Sequence, residues 1–196
     1  MFWLILSIAL WGFVHSWVAS HGFKEFLRRA FGDGFMKLYR LLYNIFAVVT
    51  LAPVLYFMAV LPDKNLYQVL SPWSYIMLAG QGISALLLLI AVLQTDMLSF
   101  IGLRQLVEEE KPEKLVIGGL YRAVRHPLYT FSLLILWLSP TVSVNSFIVY
   151  ASWTLYILIG IYFEERKLLR EFGEAYARYK TVTPMLIPGV KLGGNK

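Results

Sequence analysis

The chain has 196 residues, 58% of them hydrophobic and 15% charged, with 18 Lys and Arg against 12 Asp and Glu. A water-soluble domain carries about 25% charged residues, so a mean hydropathy of +0.62 points to a polypeptide that lives largely in lipid. No cysteine is present, which excludes disulfides, thiolate zinc sites and a cysteine nucleophile.

The first predicted element is an apolar run over residues 2–20, with Trp3, Trp11 and Trp17 placed as a span's aromatic residues. It lacks a basic n-region and a small-residue cleavage site, so it reads as a retained crossing rather than a signal peptide. His15 and His21 fall in and after it. An intramembrane histidine most often hydrogen-bonds a neighbouring helix; metal binding, proton relay and substrate contact are the alternatives. The following GFKEFLRRAFGDG is amphipathic and should lie along the cytoplasmic interface. Residues 39–61 form a second span, which Pro53 should kink by removing one backbone donor. Residues 73–94 form a third, close to the roughly 20 apolar residues that cross about 30 Å of hydrocarbon.

A polar stretch follows, with Arg104, Gln105 and then Glu108-Glu109-Glu110-Lys111-Pro112-Glu113. Consecutive carboxylates without a nearby histidine do not converge as oxygen-rich metal sites require, so this reads as a solvated acidic loop. Gly118-Gly119 permits a tight turn or a close backbone approach to a ligand. The apolar run 128–163 is too long for one crossing. Ser139-Pro140-Thr141 and Val144-Asn145-Ser146 break it into a helical hairpin. After it, EERKLLREFGEAYARYK predicts one amphipathic helix with Leu168, Leu169, Phe172, Tyr176 and Tyr179 on a single face. The tail TPMLIP should be extended by its prolines, and GVKLGGNK mobile. The expected fold is therefore all-α: one membrane domain over residues 1–196, a bundle of five transmembrane helices with a cytoplasmic C-terminal amphipathic helix.

Five crossings put 17 of the 18 basic residues on one side. The positive-inside rule makes that side cytoplasmic, with the N-terminus out and the C-terminus in, in a bacterial or archaeal inner membrane. The basic excess is then topological, with the lipid bilayer as partner and no nucleic acid implied.

Charge beside hydrocarbon is costly, so Arg125-His126 at the edge of the fourth span marks a working site. Pro127 suits the first position of a helix. A helix over residues 127–139 measures roughly 20 Å, short of the hydrocarbon thickness. Its N-terminus, carrying free N–H groups and partial positive charge, can receive an anionic group. Glu164 lies where the hairpin's apolar character stops, and an unpaired carboxylate there would be costly. Arg122, Arg125 and His126 are its candidate partners.

These residues carry a recognisable combination. LVIGGLYRAVRHPLY, followed by EE, FGEAYARY and a terminal P-x-L-I-P, resembles the isoprenylcysteine carboxyl methyltransferase-like superfamily, whose relatives include phospholipid N-methyltransferases. The match covers about 75 residues. The resemblance implies a helical membrane enzyme that binds S-adenosylmethionine near the cytoplasmic side through its C-terminal half, residues 113–188. The cofactor-contacting positions that it implies are Glu113, Lys114, Leu115, Val116, Tyr121, His126, Pro127, Leu128, Tyr129 and Glu164. Glu113 stands where the family has a histidine, so that contact is through backbone or is absent. Gly160 stands where the prenylcysteine enzymes have an arginine for the substrate carboxyl, which turns the expected acceptor away from prenylcysteine. The N-terminal half, 1–95, should shape the acceptor pocket. Its WGFVHSWVAS and YRLLYN resemble bacterial members grouped with nitric-oxide-reductase-associated membrane proteins, a broad group in which some relatives methylate small thiols such as methanethiol.

The expected reaction is an in-line methyl transfer from a sulfonium centre, governed by positioning and exclusion of water. A thiol or amine acceptor must lose a proton, for which His126 or Glu164 is the base. Arg125 anchors a carboxylate or pairs with Glu164. The acceptor is lipophilic or small: a thiol, a phospholipid amine or a carboxylate. The alternatives are a nicotinamide-dependent membrane reductase of the sterol type and a non-catalytic accessory protein.

Overall fold

A computed structural model describes residues 1–107 and 114–190 of the chain. Glu113 and the rest of the acidic stretch 108–113, with tail residues 191–196, lie outside the described residues. The chain divides into two compact units.

The first unit holds residues 1–64, 96–107 and 143–149. Helix α1 (Phe2–Ala19) is followed by α2 (His21–Val60) after one residue, Ser20. The Ser20 hydroxyl accepts the Phe23 N–H at 3.3 Å and so caps α2. The expected amphipathic stretch and second span are thereby joined in 40 residues. Helical geometry breaks at Gly32 (φ 77°, ψ 175°) and not at Pro53. Gly32 has no Cβ to oppose a positive φ, whereas a membrane helix tolerates one proline because neighbouring groups satisfy the freed carbonyl.

Polar side chains join α1 to α2. Trp11 Nε1 donates to the Ala47 carbonyl at 3.1 Å, and His15 Nε2 meets the Tyr43 hydroxyl at 2.6 Å. The Tyr39 hydroxyl donates to the Val18 carbonyl. His15 thus has a helix-to-helix hydrogen bond, and its ring also stacks on Trp11. His21 instead lines an open hollow with Lys24, Arg28 and Met36. Short helices α4 (Met97–Ile101) and α5 (Arg104–Val107) follow, with Asn44 Nδ2 donating to the Ile101 carbonyl at 2.8 Å. The Asp63 carboxylate accepts the Asn145 N–H at 3.0 Å, capping the helix that starts there.

The second unit holds residues 65–95, 114–142 and 150–190. Strand β1 (Asn65–Gln68) pairs with β2 (Thr141–Ser143), and Val69 N–H donates to the Pro140 carbonyl at 2.8 Å. Apart from this one short pairing the regular structure of the described residues is helical, as the all-α expectation has it. Pro140 stops the preceding helix, and the β-branched Thr141 and Val142 then extend the chain. Helix α3 (Trp73–Gln94) has the bounds that its apolar run predicts. Helix α6 (Pro127–Trp137) packs along it, with Gln81 Nε2 donating to the Ile135 carbonyl at 2.6 Å.

Helix α7 (Val144–Phe172) runs through Glu164 and Glu165, and α8 (Glu174–Val182) follows. The single amphipathic helix expected here is thus two. Gly173 (φ 53°, ψ −127°) breaks it, leaving Phe172 on α7 and Tyr176 and Tyr179 on α8.

Among the described residues, four helices, α1, α2, α3 and α7, are long and apolar enough to cross a membrane. The fourth expected crossing, α6, has 11 residues, or about 16 Å at 1.5 Å per residue. Large apolar side chains such as Trp3, Phe13, Val48, Leu86 and Leu93 are more than half exposed. Water would penalise that exposure and acyl chains do not.

Candidate functional site

The site grows from the turn before α6. A 3-10 turn, Gly119–Arg122, follows Gly118. Gly119 has φ +59°, and a Cβ there would lie 2.5 Å from the Gln94 side chain. Only glycine fits. The close approach is to Gln94, whose Oε1 accepts the Leu120 N–H at 2.9 Å, tying the end of α3 to the turn. The turn places Tyr121, whose carbonyl accepts the Tyr179 hydroxyl at 2.5 Å. Burial, and then the Glu164 carboxylate, push the Tyr121 phenol up to about 12.

Arg125 (8% exposed), His126 (5%) and Pro127 are buried in succession. Arg125 Nη2 and Nε lie 2.6 and 2.8 Å from Glu165 Oε1. Its Nη1 donates to the carbonyls of Thr183 at 2.5 Å and Lys180 at 3.2 Å. Lys180 Nζ reaches the other Glu165 oxygen at 2.6 Å. A buried carboxylate is costly unless paired and hydrogen-bonded, and Glu165 is both. His126 Nε2 is 3.3 Å from Glu165 Oε1, and its Nδ1 is 3.8 Å from Glu164 Oε2. An ionised carboxylate only accepts, so the Nε2 contact requires a proton on Nε2, and Nδ1 faces Glu164.

The C-terminal segment closes over these residues. The backbone N–H groups of Arg125 and His126 donate to the carbonyls of Pro184 at 2.8 Å and Met185 at 3.2 Å. The Thr130 hydroxyl donates to the Leu186 carbonyl at 2.8 Å. Leu186 and Met185 then pack with Ile157, Ile161, Leu133, Trp153 and Tyr129. Residues 183–187 are irregular and bend repeatedly rather than running extended as expected, and these hydrogen bonds tie them down.

Among the residues singled out by sequence, the structure brings Tyr121, Arg125, His126, Pro127, Tyr129 and Glu164 together. Tyr129 and Tyr121 lie within electrostatic reach of Glu164. Leu128 is half-buried on α6. Lys114 is exposed, and Leu115 and Val116 are half-buried in the irregular segment before the turn, outside this hydrogen-bonded network. Arg122 is exposed. Arg125 pairs with Glu165 rather than Glu164, because successive helical residues point about 100° apart and Glu165 is the one turned toward the guanidinium. Glu165, Lys180 and Thr183 are the site residues that sequence reasoning missed. The doubled acid was the available signal for the first, and α8 had offered only its aromatic face.

Glu164 differs from its neighbour. Its side chain is 41% exposed, yet its Oε2 is buried without a hydrogen-bond partner. A native protein rarely leaves such an acceptor unsatisfied unless a ligand or water completes it.

No family model matches the chain, and no solved structure matches it. It is similar to methanethiol S-methyltransferases. One from Pseudomonas strain GM41 is 30% identical over 194 residues, covering 93% of this chain and 71% of that protein. Those of Pseudomonas deceptionensis and Crocosphaera subtropica are each 34% identical, over 110 and 128 residues, covering 54% and 59% of this chain. The chain spans 42% and 50% of the length of these two. With nearly its whole length aligned to the first of these relatives, the chain belongs to the methanethiol S-methyltransferase family, an isoprenylcysteine carboxyl methyltransferase-like family of membrane methyltransferases.

Proposed function

We propose that the chain is an integral-membrane methyltransferase that takes its methyl group from S-adenosylmethionine and gives it to a small thiol. The observation that carries this reading is the buried, unpartnered Oε2 of Glu164 facing His126 Nδ1. A cationic donor fits that vacancy in hydrogen bonding, since it brings both positive charge and an ammonium N–H. Tyr121 and Tyr129 border the same carboxylate, and aromatic faces favour a cation. Pro127 and Leu128 supply apolar wall, and Lys114, Leu115 and Val116 are assigned to the cofactor by resemblance.

When bound, S-adenosylmethionine supplies an electrophilic methyl group on a sulfonium sulfur. The chain's own work is to hold positive charge at Glu164 and to keep water out with the buried Val124 to Pro127 run. It must also accept one proton from the thiol, at His126 Nδ1 or at Glu164. The acceptor sulfur forms its bond to the methyl carbon as the donor's carbon–sulfur bond breaks, leaving S-adenosylhomocysteine. The curated relatives are named for methanethiol. Gly160, where prenylcysteine enzymes have arginine, also favours a thiol without a carboxylate. The N-terminal half, 1–95, is the proposed acceptor side and 113–188 the cofactor side. With the N-terminus outside and the C-terminus cytoplasmic, a water-soluble donor enters from the cytoplasm. The reductase and accessory readings draw no support from these relatives.

Purified protein in nanodiscs with methyl-labelled S-adenosylmethionine tests this against methanethiol, a phosphatidylethanolamine and a prenylcysteine. Label is expected in dimethyl sulfide. Label in phospholipid alone or prenylcysteine ester alone refutes the thiol assignment, and label nowhere refutes methyl transfer.

A further inference from the structure

We infer that Glu165 is a positioning residue whose task is to fasten the C-terminal strap, residues 183–187, across Arg125 and His126, so that the strap holds the His126 ring toward Glu164. Three observations converge on it. Glu165 is the one carboxylate in this network that touches all three cationic or ionisable partners, Arg125, Lys180 and His126, at 2.6, 2.6 and 3.3 Å. Arg125 in turn spends its remaining N–H group on the Lys180 and Thr183 carbonyls, at the exit of α8 where the strap begins. The strap then returns two backbone carbonyls to Arg125 and His126 and a third to Thr130.

The logic is a closed ring. The end of α7 supplies the carboxylate, the segment before α6 supplies the guanidinium, and α8 with its tail supplies Lys180 and the carbonyls. Removing the carboxylate leaves a buried guanidinium and releases Lys180, so both attachments of the strap loosen together. His126 loses its Nε2 acceptor at the same moment, and its ring is freed to rotate. Lys180 is 40% exposed and contributes less than Arg125, which is buried. The consequence for donor binding rests on the methyl-transfer reading above; the fastening itself does not.

Hydrogen–deuterium exchange of the nanodisc protein reads the fastening directly, at the Arg125 and His126 amides. Glu165→Gln is expected to raise exchange at both by about tenfold or more and to weaken S-adenosylmethionine binding by a similar factor. Glu165→Asp should recover most of both. Wild-type exchange at these amides in Glu165→Gln overturns the inference. So does faster exchange with unaltered donor affinity. Should Glu165→Gln fail to assemble, Lys180→Met keeps the strap test open: about two- to fivefold faster exchange at the two amides supports it, and unchanged exchange overturns it. A wild-type protein that binds no S-adenosylmethionine would count against the proposed function alone, because the exchange data would still decide the strap.

Discussion

Arg125 and Glu165, 40 residues apart in sequence, meet at 2.6 Å with both side chains less than a tenth exposed. His126, Lys180 and the Thr183 carbonyl all contact one member of that pair. Breaking it from one side leaves a buried charge without compensation, so Arg125→Ala should cost about 3–5 kcal/mol of stability. Arg125→Lys should cost less but more than a surface change, because an ammonium cannot serve the carboxylate and two carbonyls with a planar fork. Thermal unfolding in detergent measures both, and equal stability for all three proteins contradicts the assignment.

Glu164 should behave differently from its neighbour. One of its carboxylate oxygens lacks a hydrogen-bond partner and faces His126 Nδ1 at 3.8 Å, so Glu164→Ala should leave insertion and melting temperature nearly unchanged. Donor affinity should fall by about tenfold or more, the loss of one charge-assisted hydrogen bond. Calorimetric titration with S-adenosylmethionine checks this, and unchanged affinity speaks against the donor site.

Gly119→Ala should destabilise the protein by about 1–3 kcal/mol, since φ is +59° there and the new methyl would lie against Gln94. Adding Gln94→Ala should remove the clash and leave the strain, restoring only part of the loss. Full restoration by the second change would mean that backbone conformation at Gly119 is of no consequence.

Tyr121 and Tyr179 should titrate about 12, each held up mainly by burial, with Glu164 adding to the effect at Tyr121 and Arg125 opposing it at Tyr179. The sign follows from linkage. Unfolded tyrosines ionise near ~10 while these stay protonated in the folded state, so their contribution is complete below pH 10 and lost as pH rises to 12. Ultraviolet difference titration should show phenols ionising only as stability falls, and full ionisation of both near pH 10 in folded protein contradicts it.

The spans were legible because lipid leaves a coarse signal. Residues 73–94 matched α3 at both ends, and Trp11, His15 and Tyr43 fell on facing helices as interhelical hydrogen bonding requires. The breaks at Gly32 and Gly173 were not, because a glycine within an apolar or amphipathic period signals tolerance and only the backbone reveals use. The β1–β2 pair was hidden by its length, four and three residues without alternation. At the site, Arg125, His126 and Glu164 stood out as charge against hydrocarbon. The choice between Glu164 and Glu165 did not, since helical phase at α7 depends on where Asp63 caps its start, 82 positions away from Asn145.

Donor binding by the wild-type protein and its Glu164→Ala variant, followed by label transfer to methanethiol, tests the central claim most directly. The account predicts saturable S-adenosylmethionine binding and dimethyl sulfide for the wild type, with donor affinity and transfer both reduced by about tenfold or more in Glu164→Ala although the variant remains folded in the bilayer. Equal binding and transfer by the two proteins, or an absence of both in the wild type, would contradict it.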